Sequence, residues 1–116
     1  MNDPAIPSCV RELLAEHLAN VTLGLRFPRS YDTREADRLG IEGFEIRYEE
    51  EGLILKWGTK RKITLAGMVF CASSLEIRKN GDGFYVTPDR KRIFDLGRDR
   101  EELTRSYRAL LEKIYS

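Results

Sequence analysis

The chain has little of what enzyme active sites and metal centres need. Its 116 residues include one histidine, His17, and two cysteines, Cys9 and Cys71, which lie far apart and outside any CxxC pair. Nucleophilic catalysis requires a base that is oriented by a third group. A zinc site requires three or four ligands from Cys, His or carboxylate side chains. The sequence therefore predicts no catalytic residue, no metal site and no cofactor.

Long apolar stretches are also missing. The longest uncharged run, residues 63–75, contains two serines, a threonine and a glycine, so it is too short and too polar to span a bilayer. The first four residues, Met1–Pro4, lack the basic flank and apolar run of a signal peptide. Two cysteines without a motif are compatible with a disulfide but favour reduced thiols. These features predict a cytoplasmic protein without an integral membrane segment.

Two short motifs favour turns rather than sites. Residues 80–83 (NGDG) contain a G-x-G, but they lack a third glycine and join two predicted strands. No helix N-terminus follows to receive a phosphate, so a hairpin turn is predicted there. Glu49–Glu51 is a carboxylate run at another predicted turn, and adjacent strand residues point to opposite faces. The three carboxylates are therefore predicted to be solvated.

Charge is balanced overall but not along the chain. The net charge is +1. Residues 1–55 hold six Arg or Lys against eleven Asp or Glu, a net of −5, whereas residues 56–116 hold fourteen against eight, a net of +6. Such asymmetry is typical of a polar binding surface or of self-complementary association, and it also occurs in proteins whose charges only solvate the surface.

Apolar residues recur at helical spacing near both ends of the chain. Ser8 is a typical N-cap residue and begins the first pattern. Near the C-terminus, Asp99 and Glu102 form an Asp-x-x-Glu capping box after Gly97. We predict an amphipathic helix at each end, after a loose lead-in at residues 1–7. The apolar stripes are Val10, Leu13, Leu14, His17, Leu18 and Val21, and then Leu103, Tyr107, Leu110, Leu111 and Ile114.

Between these helices the apolar period changes to two, which is typical of half-buried strands. Residues 28–43 read as an irregular connection, and residues 66–74 fit either a strand or a buried loop. The order predicts a single α+β domain, residues 1–116, with an antiparallel meander sheet or partly open barrel of about six to seven strands and the C-terminal helix packed on it. The predicted strands are 21–27, 44–48, 53–57, 60–65, 75–78, 84–87 and 92–96.

Basic residues concentrate at the predicted strand ends and turns of the second half, with aromatic residues between them. Clusters of this kind bind anionic ligands such as nucleic-acid phosphates, and basic residues at turns also keep strand edges soluble. The candidate anion-binding residues are Lys56, Lys60, Arg61, Lys62, Arg78, Lys79, Arg90, Lys91 and Arg92, with Trp57, Phe84 and Tyr85 as candidate aromatic support.

The segment Phe44–Tyr115 resembles a bacterial pleckstrin-homology-like domain. The resemblance rests on a meander followed by a capped helix and on the ending FYVTPDRKRIFDLGRDREELTRSYRALL, Phe84–Leu111. Tyr107 stands where such domains usually have a tryptophan. The chain departs from the family because a helix comes first, and because Glu49–Glu51 has the wrong sign for the headgroup-binding Lys and Arg pattern. The resemblance implies a small scaffold for binding or assembly, without phosphoinositide binding.

Three functions are compatible with the sequence. The leading hypothesis is a non-enzymatic binding or assembly domain that associates with itself or a protein partner, because no catalytic constellation is present and the halves carry opposite charge. The first alternative is binding of nucleic acid or another anionic ligand through the basic turns. The second is a small-ligand or enzymatic cavity between the sheet and the C-terminal helix, using Tyr48, Trp57, Arg78 or Tyr107.

Overall fold

A computed structural model describes residues 8–24, 44–49 and 52–115. The described strands form one antiparallel sheet in the order β1-β2-β3-β4-β5, which leaves the sheet open rather than closed into a barrel. The C-terminal helix packs against the N-terminal helix and the sheet. The predicted α+β class is therefore confirmed. The elements are α1 (Ser8–Gly24), β1 (Glu45–Glu49), β2 (Gly52–Leu65), β3 (Met68–Asn80), β4 (Gly83–Thr87), β5 (Phe94–Gly97) and α2 (Arg100–Tyr115).

The predicted number of strands was wrong for two reasons. Residues 21–24, assigned to a first strand, are the last turn of α1, because packing against α2 overrides the β-propensity of Val21 and Thr22. Residues 53–57 and 60–65 belong to the single strand β2 rather than to two strands. The ambiguous segment 66–74 is a two-residue turn followed by most of β3. The predictions for residues 1–7, 25–43 and 50–51 lie outside the described residues.

A bulge explains why β2 read as two strands. Lys56 pairs with Ser74 and Arg61 pairs with Ala72, so four residues of β2, 57–60, stand opposite the single residue 73. Gly58 has a φ of 91°, which glycine adopts without the steric cost that other residues meet. Beyond the bulge, Ile63 and Leu65 belong to the same buried core as Leu53 and Leu55, so both parts of β2 turn their apolar side toward the core.

The buried face of α1 differs from the predicted stripe. Leu14 and Leu18 are buried as expected, but Leu13 is 51% exposed. The small residues Ala15 and Ala19 are fully buried instead. Their short side chains allow the backbone of α1 to approach its neighbour closely, so the packed face is turned toward the alanines. Glu12 then lies within 2.6 Å of Arg108 on α2.

One buried hydrogen bond joins the two helices. The Thr22 hydroxyl donates to the Leu18 carbonyl at 2.7 Å, so the Tyr107 phenol donates to Thr22 at 2.6 Å. Both side chains are fully buried. Burial raises the pKa of Tyr107 well above its ordinary value, and the hydrogen bond to Thr22 opposes that rise. The bond satisfies two hydroxyl groups that would otherwise be costly in the core.

The start of α2 has the predicted capping box. The Glu102 backbone N–H donates to Asp99 Oδ1 at 2.9 Å, and the Asp99 N–H donates back to Glu102 Oε1 at 3.4 Å. The whole predicted stripe of α2, from Leu103 to Ile114, is buried. Gly97, the last residue of β5, has a φ of +123° and lies against Glu102. The strand therefore enters the helix through a corner that only glycine fits.

Candidate functional surfaces

The structure does not bring the nine candidate basic residues together. Lys60 and Lys62 are exposed in and beside the bulge, whereas the Arg61 guanidinium lies 5.6 Å from the centre of the Tyr115 ring. Burial raises the pKa of Tyr115 to about 12, although the charge of Arg61 lowers it. Arg78 and Arg90 converge on one carboxylate, that of Glu76. The other four are Lys56, half-buried on β2; Lys79 and Lys91, exposed; and Arg92, which pairs with Asp89.

Two of the three candidate aromatic supports are core residues. Trp57 is 4% exposed and Phe84 is 1% exposed, because both occupy the inner face of the sheet with the buried leucines. A ring in the core has no face on which a base or other ligand could stack, so neither Trp57 nor Phe84 is placed to support an anion. Tyr85 is partly exposed on the outer face, opposite Arg78.

The outer-face pocket is a depression of about 260 Å³ on the side of the sheet opposite Leu75 and Ile77. Two cross-strand pairs form its floor, because Glu76 on β3 faces Thr87 on β4 and Arg78 faces Tyr85. Arg90 and Ile93, from the loop between β4 and β5, form its wall. Arg78 Nε donates to Glu76 Oε1 at 2.6 Å, and Arg90 Nε lies 3.4 Å from Glu76 Oε2. Two cations thus share one carboxylate.

The turn after β4 sets the position of Arg90. The Asp89 carboxylate accepts hydrogen bonds from the backbone N–H groups of Arg92 and Lys91, both at 2.9 Å. These bonds hold the pKa of Asp89 below its usual range. Arg90 adopts a φ of 64° inside this turn, a conformation that is uncommon for residues other than glycine. Its guanidinium then reaches back over the sheet to Glu76.

Thr87 contributes a buried polar atom to the pocket floor that lacks a partner among the described residues. Its side-chain oxygen is buried without a hydrogen bond, and the residue is 5% exposed. A buried hydroxyl that has lost water and gained no partner costs about 1–3 kcal/mol. The site therefore keeps unused hydrogen-bonding capacity at its centre.

Replacing that hydroxyl should stabilise the protein. We expect Thr87→Val, which keeps the shape of the side chain, to raise the free energy of unfolding by about 1 kcal/mol in urea denaturation. Thr22→Val is the matched control, because the Thr22 hydroxyl is equally buried but hydrogen-bonded, and it should lower stability. A loss of stability in both variants would show that the Thr87 hydroxyl has a partner in solution.

The β2–β3 arm, residues 61–72, is the second notable surface. Strand β1 pairs only with residues 52–56 of β2, and β4 pairs only with residues 76–80 of β3. Among the described residues, the arm strands pair with each other alone. One side of the arm is held by the core, since Ile63 and Leu65 are buried and Phe70 contacts Phe94 at a ring-centroid distance of 5.8 Å. The other side presents Lys62, Thr64, Val69 and Cys71, which are all exposed.

The residues named for a cavity between sheet and helix do not converge. Trp57 and Tyr107 are buried in the core, whereas Arg78 lies on the opposite face of the sheet. The Tyr48 side chain lies outside the described residues. Cys9 and Cys71 are free thiols. In the described ranges, no group of three or more His, Cys, Asp or Glu side chains could hold a metal ion.

Neither α1 nor α2 could cross a membrane, and no other helix within the described ranges is long and apolar enough to do so. The outer-face pocket and the β2–β3 arm are two surfaces of the described residues whose features suit binding. No family model matches the chain, and no curated protein or solved structure matches it either.

Proposed function

We propose that this chain is a non-enzymatic assembly domain whose β2–β3 arm binds the β1 edge of a second copy. The observation that carries the proposal is the arm, whose outer edges pair with no other strand in the part of the chain that the structure describes. Strands β2 and β3 have 14 and 13 residues, whereas their neighbours β1 and β4 have five each. An isolated pair of strands is marginally stable in water, so a long arm with free edges gains most when another strand pairs with it.

Exposed apolar residues at the end of the arm support this function. Val69 is 64% exposed and Met68 is 37% exposed, next to the turn at Ala66 and Gly67. Unpaired strand edges carry a row of free N–H and C=O groups, and proteins usually protect such edges with charge or with a partner. Here the charge is basic, from Lys62 on the arm and Lys60 in the adjoining bulge. A partner edge of opposite charge would pair with this arm better than a neutral one.

The β1 edge has that opposite charge. Strand β1 is the outer strand of the described sheet, and it pairs with β2 on one side only. Glu45 and Glu49 are exposed on it, with Arg47 between them. Addition of a strand to an open edge takes its affinity from main-chain hydrogen bonds and its specificity from the side chains. The opposite net charges of the two halves of the chain suit the same head-to-tail contact.

A charge swap tests this arrangement. We expect wild-type protein to scatter light as more than one chain at low salt and to dissociate as the salt concentration rises. Lys60→Glu with Lys62→Glu, and separately Glu45→Lys with Glu49→Lys, should each weaken association at least about tenfold, which is about 1.4 kcal/mol. Combining the two pairs in one chain should restore it, because the charges are again complementary.

The exposed Arg105 on α2 provides the matched control. Arg105→Glu changes the net charge in the same direction as the lysine reversals but lies on neither surface, so it should leave association unchanged. A mass of one chain for the wild-type protein at every salt concentration would overturn the proposal. Failure of the combined variant to recover association would overturn it as well.

A further inference from the structure

We infer that the outer-face pocket binds a carboxylate that is attached to a small apolar group. None of the described residues that line the pocket belongs to the arm or to β1, so this inference stands apart from the proposed assembly. It rests on three described features that meet in one depression: two arginines, a buried unpartnered hydroxyl and an exposed isoleucine.

The cationic part of the site is Arg90. Its Nε contacts Glu76, its side chain is 82% exposed, and a guanidinium carries four further N–H donors on its terminal nitrogens. Two parallel N–H donors match the two oxygens of a carboxylate. The Thr87 hydroxyl, which has no other described partner, donates to the ligand from the pocket floor. Together they provide a charge-assisted pair and one neutral hydrogen bond.

The charge of the pocket favours a carboxylate over a phosphate monoester. Among the described residues that line the pocket, Arg78 and Arg90 carry two positive charges and Glu76 carries one negative charge, so the formal charge of the lining is +1. A carboxylate neutralises that charge. A phosphate monoester carries about −1.5 to −2 at pH 7 and would leave excess negative charge beside the 11% exposed Glu76 carboxylate.

The apolar part of the ligand lies on Ile93. This side chain is 56% exposed at the rim of the depression, and covering it removes apolar surface from water. A volume of about 260 Å³ suits a carboxylate with an aliphatic group of a few carbons. Such a group is found both in a free aliphatic acid and at the C-terminus of a polypeptide.

Two larger depressions lack the features that define this site. One of about 370 Å³ is lined by Asp95, Arg98 and Glu102, among others, and one of about 550 Å³ lies beside α2 around Arg100 and Arg105. None of the described residues that line them has a buried polar atom without a partner. Their charged side chains are exposed and already solvated.

Titration followed by ¹⁵N NMR tests the assignment at constant ionic strength. N-acetyl-leucine represents the free acid, and a four-residue peptide ending in leucine represents the polypeptide source. We expect saturable shifts of the amide signals of Glu76, Thr87 and Arg90 with one or both, and at least tenfold weaker binding of N-acetyl-leucine amide and of methyl phosphate.

Three variants distinguish binding at this site from non-specific attraction to positive charge on the protein. Arg90→Gly removes the guanidinium while its φ of 64° suits glycine, so the variant should fold, and affinity should fall at least tenfold. Thr87→Val should also weaken binding. Lys91→Ala, which removes a neighbouring exposed cation outside the pocket, should leave affinity unchanged. Absence of saturable shifts, equal affinity in Arg90→Gly and wild type, or tighter binding of methyl phosphate would each overturn the inference.

Discussion

Gly97→Ala is expected to destabilise the domain by about 3–4 kcal/mol. The φ of +123° at this position strains any other residue, at a cost of about 1–3 kcal/mol. A Cβ atom here would lie 2.5 Å from the Glu102 Cβ, so the first turn of α2 must move. That movement breaks the reciprocal bonds between Asp99 and Glu102, and loss of such a cap costs about 1 kcal/mol more.

Gly67→Ala is the control for this prediction. Gly67 also has a positive φ, of 80°, but nothing lies within 4 Å of a Cβ added there. The Gly67→Ala variant therefore has the strain of a positive φ, but its new Cβ does not contact α2. We expect thermal unfolding to show a fall in Tm of about 10 °C or more for Gly97→Ala and a clearly smaller fall for Gly67→Ala. Equal falls in Tm would mean that the first turn of α2 moves away from the added methyl group without loss of stability.

The second large effect is expected at the hydrogen bond between the helices. Thr22→Val leaves the Tyr107 phenol buried without an acceptor, which should cost about 1–3 kcal/mol. Tyr107→Phe should cost less, about 0.5–1.5 kcal/mol, because the Thr22 hydroxyl still donates to the Leu18 carbonyl at 2.7 Å. The order of the two losses follows from which group is left without a partner.

A double-mutant cycle in urea measures the coupling. The variant that combines Thr22→Val with Tyr107→Phe has apolar groups at both positions, so its stability should be closer to the wild type than that of Thr22→Val alone. Simple addition of the two single losses would contradict a bond between these side chains.

The helix at the C-terminal end was predictable because every local signal agreed. Gly97, the Asp99 and Glu102 box, and the apolar stripe from Leu103 all favour the same element, and each was found in its expected role. The first helix was predictable as an element, but the side of it that is buried was not. Its alanines carry little hydrophobic signal, and only contact with α2 shows that Ala15 and Ala19 are buried while Leu13 is not.

The candidate sites were harder to derive than the fold. Arg78 and Arg90 are twelve residues apart, and only strand pairing and the turn held by Asp89 bring them to the same carboxylate. The Thr87 hydroxyl gives no signal in the sequence, because its burial depends on the loop that carries Arg90. Trp57 and Phe84 could have been placed in the core by their alternation with polar neighbours, which is a stronger signal than their nearness to basic residues.

The bulge at residues 57–60 shifts the pairing register between β2 and β3 within one continuous strand. Odd-numbered residues of β2 are buried in the core on both sides of it, Leu53 and Leu55 before the bulge and Ile63 and Leu65 beyond it. Deleting a single residue there would bury Lys62 and Thr64 and turn both aliphatic side chains to solvent. The length of this short stretch is therefore constrained in its parity, and two of its residues are constrained as well, since Trp57 is buried and Gly58 has a positive φ.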